Sequence, residues 1–408
     1  MIPIGLIILT VVVLNIIFIL VDIYIYKKFR KISLANQWNG IYSKVYLISI
    51  PIFGIWLVAN SILRWSSPIP NKFVTFSNYF LTFWYLPKLI ISVVLGVYGV
   101  VLKLTKMISK NHVKDTSSFV DKNRRKLITT LGWSAVGLPY LALAHESFRT
   151  TLNPKVVSVE VPLANLSNEI KELRMVQISD IHAGSLPSVG FFTKIVEIIN
   201  SLNPDFVFIT GDFVNFSYKE IEIISESLSS IKAKFSVLAC PGNHEHYMKD
   251  EDFQRLAEEI RKCNVDLLIN ENRVFNFNES QLQVVGVDNT NHRMNYADFD
   301  KALRGLNKNY PIILLCHDPT NWDSSVRRKR KVDLMLSGNT HGGQIAFEIL
   351  NSKISPAAFF YKQYAGLYVD KEQYLYVNTG VGMVGVPVRA GLPPEITLIR
   401  FVDAEKYA

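Results

Sequence analysis

Five short apolar runs in the C-terminal two-thirds of the chain each end in side chains that can bind a metal, and this pattern restricts the possible folds more than any other feature. The runs alternate with longer amphipathic stretches, as in LRMVQIS followed by residues 188–202. Buried strands that alternate with helices indicate an α/β fold containing parallel strands. The residues that follow the five runs are, in order, Asp180 and His182; Asp212; Asn243, His244 and Glu245; His317; and Asn339 and His341. Because parallel strands form a binding crevice at their carboxyl ends, we expect these side chains to converge.

The residue types favour a site for two divalent metal ions. Two such ions about 3.5–4 Å apart need a shared ligand, which a carboxylate supplies well, and Asp212 is the candidate bridge. Asp180 and His182 are two positions apart where a strand ends, so both side chains can point towards one ion. A hydroxide formed on the metals at neutral pH would attack phosphorus in line, and a non-ligating imidazole would protonate the leaving oxygen.

These motifs occur in the order DxH, GD, GNHE, a lone His and THGGQ, and over about residues 172–400 the chain resembles the calcineurin-like metallophosphoesterases. The closing stretch TGVGMVGVPVRAGLPPEITLI, residues 379–399, is similar to a membrane-associated bacterial branch of that family. The resemblance implies a sandwich of two mixed β-sheets flanked by helices, an α/β fold, for residues 149–408. It also implies an enzyme, a metal-dependent hydrolase of a phosphomonoester or phosphodiester.

The resemblance further implies that six of these side chains bind two divalent ions, drawn from Mn, Fe and Zn. The six are Asp180, His182 and His341 for the first ion, Asn243 and His317 for the second, and Asp212 as the bridge. His244 would be the imidazole that binds phosphate without ligating metal and acts as general acid.

One motif departs from the family pattern. The family's last motif usually reads GHTHGGQ, whereas this chain has Asn339 where the first histidine would ligate the second metal. A carboxamide oxygen is a weaker donor than imidazole for a borderline metal. Three interpretations follow: Asn339 ligates a harder ion such as manganese, the second metal is weakly held, or the domain is a membrane sensor or scaffold that binds ligand without turnover. The enzyme interpretation is favoured because the six metal-binding positions other than Asn339 are all present, and so is His244.

Four further residues near these motifs have competing interpretations. Arg389 lies in the closing motif and either contacts phosphate or forms an ion pair, and His292 either borders the pocket or belongs to a polar loop. His246, two residues after His244, is expected to face away from the site. Asp288 ends another apolar run and is expected to form a turn. The aromatic segment FFYKQYAGLY, residues 359–368, either lines an apolar entrance or belongs to the core.

The first 148 residues are predicted to be an all-α transmembrane region. Apolar segments at 2–26, 45–63, 75–102 and 127–145 predict about four helices, since roughly 20 residues span a hydrocarbon core of about 30 Å. The charge follows the first apolar run, whereas in a secretory signal peptide it precedes the run, so a retained anchor is predicted. Residues 1–150 hold 17 basic and 4 acidic side chains.

The basic loops 27–44 and 103–126 predict the orientation of this multi-pass region in the cell membrane. Placing both loops in the cytoplasm puts everything after residue 145 on the extracytoplasmic side. If the fourth segment does not span, the domain lies on the cytoplasmic side instead. The expected partners are the lipid bilayer and a phosphate ester, either lipid-linked or from the cell envelope. Nucleic acid is not expected, because residues 151–408 hold 27 basic against 31 acidic side chains.

Overall fold

The computed structural model describes residues 4–35 and 41–66, a discontinuous set between 77 and 104, residues 145, 147 and 149, and 150–404 except 165, 279, 291–293, 350–351 and 386–387. Contacts divide the chain into two compact units. One comprises Ile2–Ser67 and Asn71–His145, and the other consists mainly of Glu146–Ala408.

The N-terminal unit is helical wherever it is described. Helix α1 spans Ile4–Ala35 and α2 spans Ile41–Ser66, so both extend beyond the predicted segments 2–26 and 45–63. Lysine and arginine are good helix formers, so the basic residues after residue 26 continue α1 without a break. The described residues between 77 and 104 are also helical, and positions 127–144 of the fourth predicted helix lie outside the described residues. Judged by length and hydropathy, none of the helices among the described residues qualifies as a membrane span.

A buried ion pair links the described helical segments of this unit. The ammonium of Lys88 donates to the Asp22 carboxylate at 2.6 Å, and the Asp22 side chain is 1% exposed. The hydroxyls of Tyr46 and Tyr85 donate to the same carboxylate at 2.9 and 3.0 Å. A buried carboxylate is tolerated only when its charge is paired and its oxygens accept hydrogen bonds. Asp22, Tyr46 and Lys88 therefore hold three stretches of helix together.

The C-terminal unit contains two six-stranded mixed sheets, as the resemblance implied. The first sheet has the order β1-β14-β2-β3-β4-β5 and the second has β12-β13-β9-β8-β7-β6. Its strands are β1 Lys155–Leu163, β2 Met175–Ile178, β3 Phe206–Thr210, β4 Ser236–Cys240, β5 Asp266–Leu267, β6 Glu271–Phe277, β7 Ser280–Gly286, β8 Ile312–Leu315, β9 Leu334–Ser337, β10 Phe347–Ile349, β11 Ser352–Ile354, β12 Gly366–Asp370, β13 Gln373–Val377 and β14 Glu395–Asp403. Its α-helices are α3 Asn168–Lys171, α4 Val189–Ser201, α5 Ser225–Ser229, α6 Asp250–Lys262 and α7 Phe299–Ala302.

Alternation along the strands divides the core into layers. In β3, Phe206 and Phe208 pack into the cluster between the two sheets, where they meet side chains such as Leu336 of the second sheet. Val207 and Ile209 point the other way, into the cluster formed with the helices. Successive side chains of a strand face opposite sides of a sheet, so both faces of β3 are buried. This burial explains why the strand reads as a continuous apolar run.

Helix α6 follows the loop that carries His244 and packs against the first sheet. Its apolar side chains at 253, 256, 257 and 260 are buried, a spacing that places them on one helical face. Asp250, Glu251 and Asp252 lie in the first turn and Arg261 and Lys262 in the last, which complements the helix dipole.

Candidate metal centre

The predicted ligands lie at the ends of β2, β3, β4, β8 and β9, and five of them adopt left-handed backbone conformations. The five are Asp180 (φ 52°), His182 (φ 46°), Asp212 (φ 56°), Asn339 (φ 69°) and His341 (φ 50°). This region costs a residue with a Cβ atom roughly 1–2 kcal/mol. Such strain persists only where the surrounding structure enforces it, and it is concentrated at functional sites.

Glycines let the strand-end loops approach each other closely. Gly211 has φ 83°, and a Cβ atom there would lie 2.7 Å from both the backbone nitrogen of Gly242 and Nδ1 of His317. A Cβ atom at Gly338 would overlap the Ser179 side chain and the Asp180 carboxylate. Larger residues at these two positions would push the loops apart, so the glycines determine how near the ligands can come to one another.

The first group of ligands consists of Asp180, His182 and His341, all buried. Nε2 of His341 lies 3.2 Å from Oδ1 of Asp180 and 3.1 Å from Nε2 of His182. One donor atom of each residue lies within 4.8 Å of the other two. Although 159 positions separate His182 from His341 in the sequence, the structure brings them together as predicted.

The second group is centred on His317. Its Nδ1 donates to the backbone carbonyl of Thr210 at 2.6 Å, which turns Nε2 towards the other ligands. Nε2 lies 3.1 Å from Oδ2 of Asp212 and 3.2 Å from Oδ1 of Asn243. Oδ2 of Asp212 also lies 3.6 Å from Nε2 of His182, in the first group. The Asp212 carboxylate therefore contacts both groups, and Asp180 of the first group also has a donor atom within 4.8 Å of those of Asp212 and His317.

Burial and mutual charge determine the protonation of this cluster. Burial raises the pKa of Asp180 to about 6, with a further contribution from the charge of Asp212. Burial would also raise the pKa of Asp212, but the neighbouring His317 and His244 outweigh it and lower that pKa. Burial alone would lower the pKa of His317, whereas the Asp212 charge raises it to about 10.

The protonation of the two remaining imidazoles bears on metal binding. Burial, reinforced by His244, lowers the pKa of His182 to about 3. Burial, reinforced by His182, holds the pKa of His341 well below its ordinary value. A neutral imidazole keeps one nitrogen lone pair available for a metal, so His182 and His341 can both serve as ligands beside the carboxylates. The donor set of nitrogen and carboxylate oxygen atoms therefore fits divalent ions such as Zn, Mn or Fe.

His244 sits beside both groups, with its imidazole oriented by a backbone carbonyl. Nδ1 donates to the carbonyl of Asn215 at 2.7 Å, and Nε2 lies 4.0 Å from Oδ2 of Asp212. The backbone N–H of His244 donates to Oδ1 of Asp212 at 2.9 Å. One donor atom each of His182, Asp212 and His244 also lies within 4.8 Å of the other two. The geometry thus allows His244 either to ligate metal or to act as the general acid predicted from the sequence.

Asn339 contacts the site through its backbone. Its N–H lies 3.1 Å from both carboxylate oxygens of Asp180, and its side chain is partly exposed. These bonds orient Asp180 towards His341. Ligation of the second metal by the Asn339 carboxamide remains a prediction.

The structure places Arg389 behind the ligands, where its side chain is fully buried. Its guanidinium donates to the carbonyls of Thr379 at 2.8 Å and Gly382 at 2.7 Å, and Nη2 lies 3.4 Å from Nδ1 of His341. Burial lowers the pKa of Arg389 to about 10. This environment favours support of the His341 loop over the contact with phosphate, or the ion pair, considered from the sequence. The other candidate for substrate contact, His292, lies outside the described residues.

Sequence reasoning assigned no role to two buried carboxylates that organise the loops. Glu245 accepts the backbone N–H groups of Gly242 (2.7 Å), Asp212 (2.9 Å) and Phe213 (2.8 Å). Glu220 accepts those of Asn215 (2.7 Å) and Phe216 (3.1 Å). The place of Glu245 beside His244 in the GNHE motif was a usable signal, because acidic residues are rarely buried without partners. Glu220 stands in an ordinary polar stretch and offered no such signal.

His246, which was expected to face away from the site, pairs with Asp288. His246 and Asp288 are 2.6 Å apart, and the His246 ring stacks on Tyr296 with 4.1 Å between the ring centroids. His246 and His244 belong to the same short 3₁₀ helix, His244–Tyr247. Asp288 also accepts the backbone N–H of Asn289 at 2.7 Å, but residues 287–289 form no turn, so the turn expected at Asp288 is not found there.

Comparison with known proteins gives consistent matches. The family model described as calcineurin-like phosphoesterase matches residues 173–343. A zebrafish (Danio rerio) protein named "Transmembrane protein with metallophosphoesterase domain" is 30% identical over 315 residues, which cover 75% of this chain and 69% of that protein. An uncharacterized metallophosphoesterase of Campylobacter jejuni is 26% identical over 394 residues, which cover 94% of this chain and 95% of the relative. The phosphodiesterase YaeI of Escherichia coli is 25% identical over 242 residues, which cover 59% and 86%.

Replacing Glu245 with glutamine should loosen the metal centre. The carboxamide keeps the side-chain volume, but its NH2 group cannot accept the backbone N–H groups that the carboxylate holds. We expect the free energy of unfolding to fall by roughly 1–3 kcal/mol and metal affinity to fall by roughly 10–100-fold. Chemical denaturation and metal titration would measure the two effects. Glu259→Gln is the matched control, because the Glu259 side chain is 44% exposed; equal changes in both variants would contradict the role of Glu245.

Proposed function

Because the chain belongs to the calcineurin-like phosphoesterase family, we propose that it hydrolyses a phosphate ester at the metal centre formed by its strand ends. The observation that carries the proposal is the position of the Asp212 carboxylate. Its Oδ2 lies 3.6 Å from His182 in one ligand group and 3.1 Å from His317 in the other. A single carboxylate between two donor groups is the arrangement that a pair of divalent ions requires.

The proposed site divides the ligands between two ions. Asp180, His182 and His341 would hold one ion, and Asn243, His317 and Asn339 the other, with Asp212 shared. Divalent ions bound there would supply an activated water at neutral pH and positive charge for the phosphate oxygens. The chain itself would contribute the fixed positions of these donors, because the glycines and Glu245 hold the loops in place.

The proton for the leaving oxygen is assigned to His244. Its Nδ1 donates to the Asn215 carbonyl, so the second proton of the imidazolium lies on Nε2. Nε2 points towards Asp212 Oδ2, and therefore towards the proposed bridging position, where an ester would bind. Transfer of this proton to the departing oxygen leaves a neutral imidazole that is still oriented by Asn215. In this proposal His244 does not ligate metal.

Asn339 supports an alternative of a different class, a sensor or scaffold that binds phosphate without turnover. A weak carboxamide donor would leave the second ion poorly held. Restoring a histidine tests this alternative directly. Metal-dependent activity that appears only in Asn339→His would favour the binding protein, whereas activity in the wild type favours the enzyme.

The full chain should hydrolyse p-nitrophenyl phosphate or its bis ester when manganese is added, and His244→Asn should lower kcat by roughly 10²–10⁴-fold. The asparagine cannot donate a comparable proton, while the metal ligands remain. Release of p-nitrophenol and metal analysis of both proteins would measure the two quantities. A parallel loss of metal in the variant would mean that His244 is a ligand and that its assignment as acid is wrong.

Asp212→Asn should reduce the occupancy of both metal positions, because the shared negative charge is lost. Metal analysis after dialysis would give the number of equivalents bound. Asp288→Asn is a suitable control, since Asp288 is a buried carboxylate that pairs with His246; we expect it to retain its metal. Two full equivalents in Asp212→Asn would rule out the bridging role.

We also propose that the N-terminal unit anchors the protein as a multi-pass membrane segment, with the metal centre on the extracytoplasmic side. Several observations support an anchor: α1 and α2 expose apolar side chains such as Ile16, Ile48 and Ile55, the excess basic charge flanks apolar runs, and the zebrafish relative is named a transmembrane protein. A site held at a membrane would suit a lipid-linked or cell-envelope phosphate ester as substrate.

Reporter fusions in a bacterial host test this topology. Alkaline phosphatase fused after residue 404 should be active, because it folds only outside the cytoplasm. The same reporter fused after residue 110, within the basic loop, should be inactive. The reverse result would place the metal centre in the cytoplasm, and recovery of the protein in the soluble fraction would exclude the anchor.

A further inference from the structure

Phe216 exposes a large apolar surface directly beside the imidazole of His244. Phe216 is 52% exposed, whereas most aromatic residues described in this unit are buried or half-buried. The ring centroid lies 5.7 Å from that of His244 and 6.2 Å from that of Tyr247. The rings of His244 and Tyr247 are 4.5 Å apart. Phe216 and Tyr247, which we name the aromatic wall, therefore lie side by side next to the imidazole.

The wall is held in place by the same contacts that orient His244. The backbone N–H of Phe216 donates to the buried carboxylate of Glu220 at 3.1 Å. Glu220 also accepts the N–H of Asn215, and the Asn215 carbonyl accepts the Nδ1 proton of His244. Tyr247 is held by a separate contact: its hydroxyl accepts a hydrogen bond from the Asn243 carboxamide at 2.8 Å. Because these contacts fix the backbone of Phe216 and the hydroxyl of Tyr247, less conformational entropy is lost when a ligand packs against the two rings.

The position of His244 indicates which part of a substrate would meet this wall. In the proposed function, His244 gives its proton to the leaving oxygen, so the group attached to that oxygen lies beside the imidazole. We infer that the aromatic wall receives the leaving group and selects phosphate esters whose leaving group is aromatic or otherwise apolar. This inference rests on the proposed function for the direction of the leaving group. It adds the chemical class of that group and names Phe216 as the residue that determines specificity.

A pair of phosphonates that the protein cannot hydrolyse tests the inference by binding alone. Phenylphosphonate carries a ring next to phosphorus, whereas methylphosphonate carries a single methyl group there. Calorimetric titration of the full chain, loaded with manganese, would give the ratio of their affinities. We expect the wild type to favour phenylphosphonate by about tenfold, as expected for packing against an aromatic face.

Variants at matched phenylalanines identify the source of the preference. Phe216→Ser should reduce the affinity ratio to about twofold or less, with methylphosphonate affinity and metal content unchanged, and Phe216→Tyr should keep the ratio. Phe235→Ser is the control, because Phe235 is 41% exposed and precedes β4, whereas the ligands follow the other end of that strand; it should behave as the wild type. Tyr247 is left intact because its hydroxyl contacts the proposed ligand Asn243.

Three outcomes would overturn the inference: a wild-type ratio near one, an unchanged ratio in Phe216→Ser, or binding of neither phosphonate. Its failure is separable from that of the proposed function, because the titrations require no turnover. Hydrolysis of p-nitrophenyl phosphate together with an affinity ratio near one would support the proposed enzyme and contradict the role of the aromatic wall. The expected affinity ratios without any hydrolysis would support the aromatic wall as a ligand-binding surface and contradict the proposed enzymatic activity.

Discussion

The buried Asp212 carboxylate is the interaction on which the site depends. Removing such a charge from water costs several kcal/mol unless nearby groups compensate for it. Here Oδ1 accepts the N–H of His244, while Oδ2 faces the imidazoles of His182 and His317. The same contacts bring the ends of β2, β3, β4 and β8 to one point. The charge that favours binding of cations thus also fixes the positions of the other donors.

Keeping this charge in place requires a strained backbone, and the fold supplies the restraint. Asp212 and its neighbours adopt left-handed conformations that their side chains disfavour. Glu245 receives the N–H groups of Asp212 and Phe213, and Glu220 performs the same task for the loop beside His244. Two buried carboxylates without a direct place among the predicted ligands therefore hold the ligand loops. Because each carboxylate accepts N–H groups of a ligand loop, we expect the loss of either carboxylate to displace that loop.

Much of the domain was predictable because its signals are local. The strands that precede the ligands are buried on both faces, so they appear as continuous apolar runs, and a glycine in the adjoining loop often follows from the need for close approach. The two mixed sheets agree with the resemblance, and the side chains of Asp180, His182, Asp212, Asn243, His317 and His341 do meet. The ends of α1 and α2 were less predictable, because lysine and arginine extend a helix as readily as they flank a membrane span.

The sequence by itself determined the types of donor, their order along the chain and the departure at Asn339, because each belongs to a short motif at a strand end. Only the tertiary structure decided which atoms face one another, since His182 and His341 are brought together by sheet packing across 159 positions. It also decided that Arg389 supports a loop from behind the ligands and that Phe216 stands open beside His244. The burial or exposure of a single side chain depends on which distant segments pack against it, and a local sequence pattern does not predict those contacts.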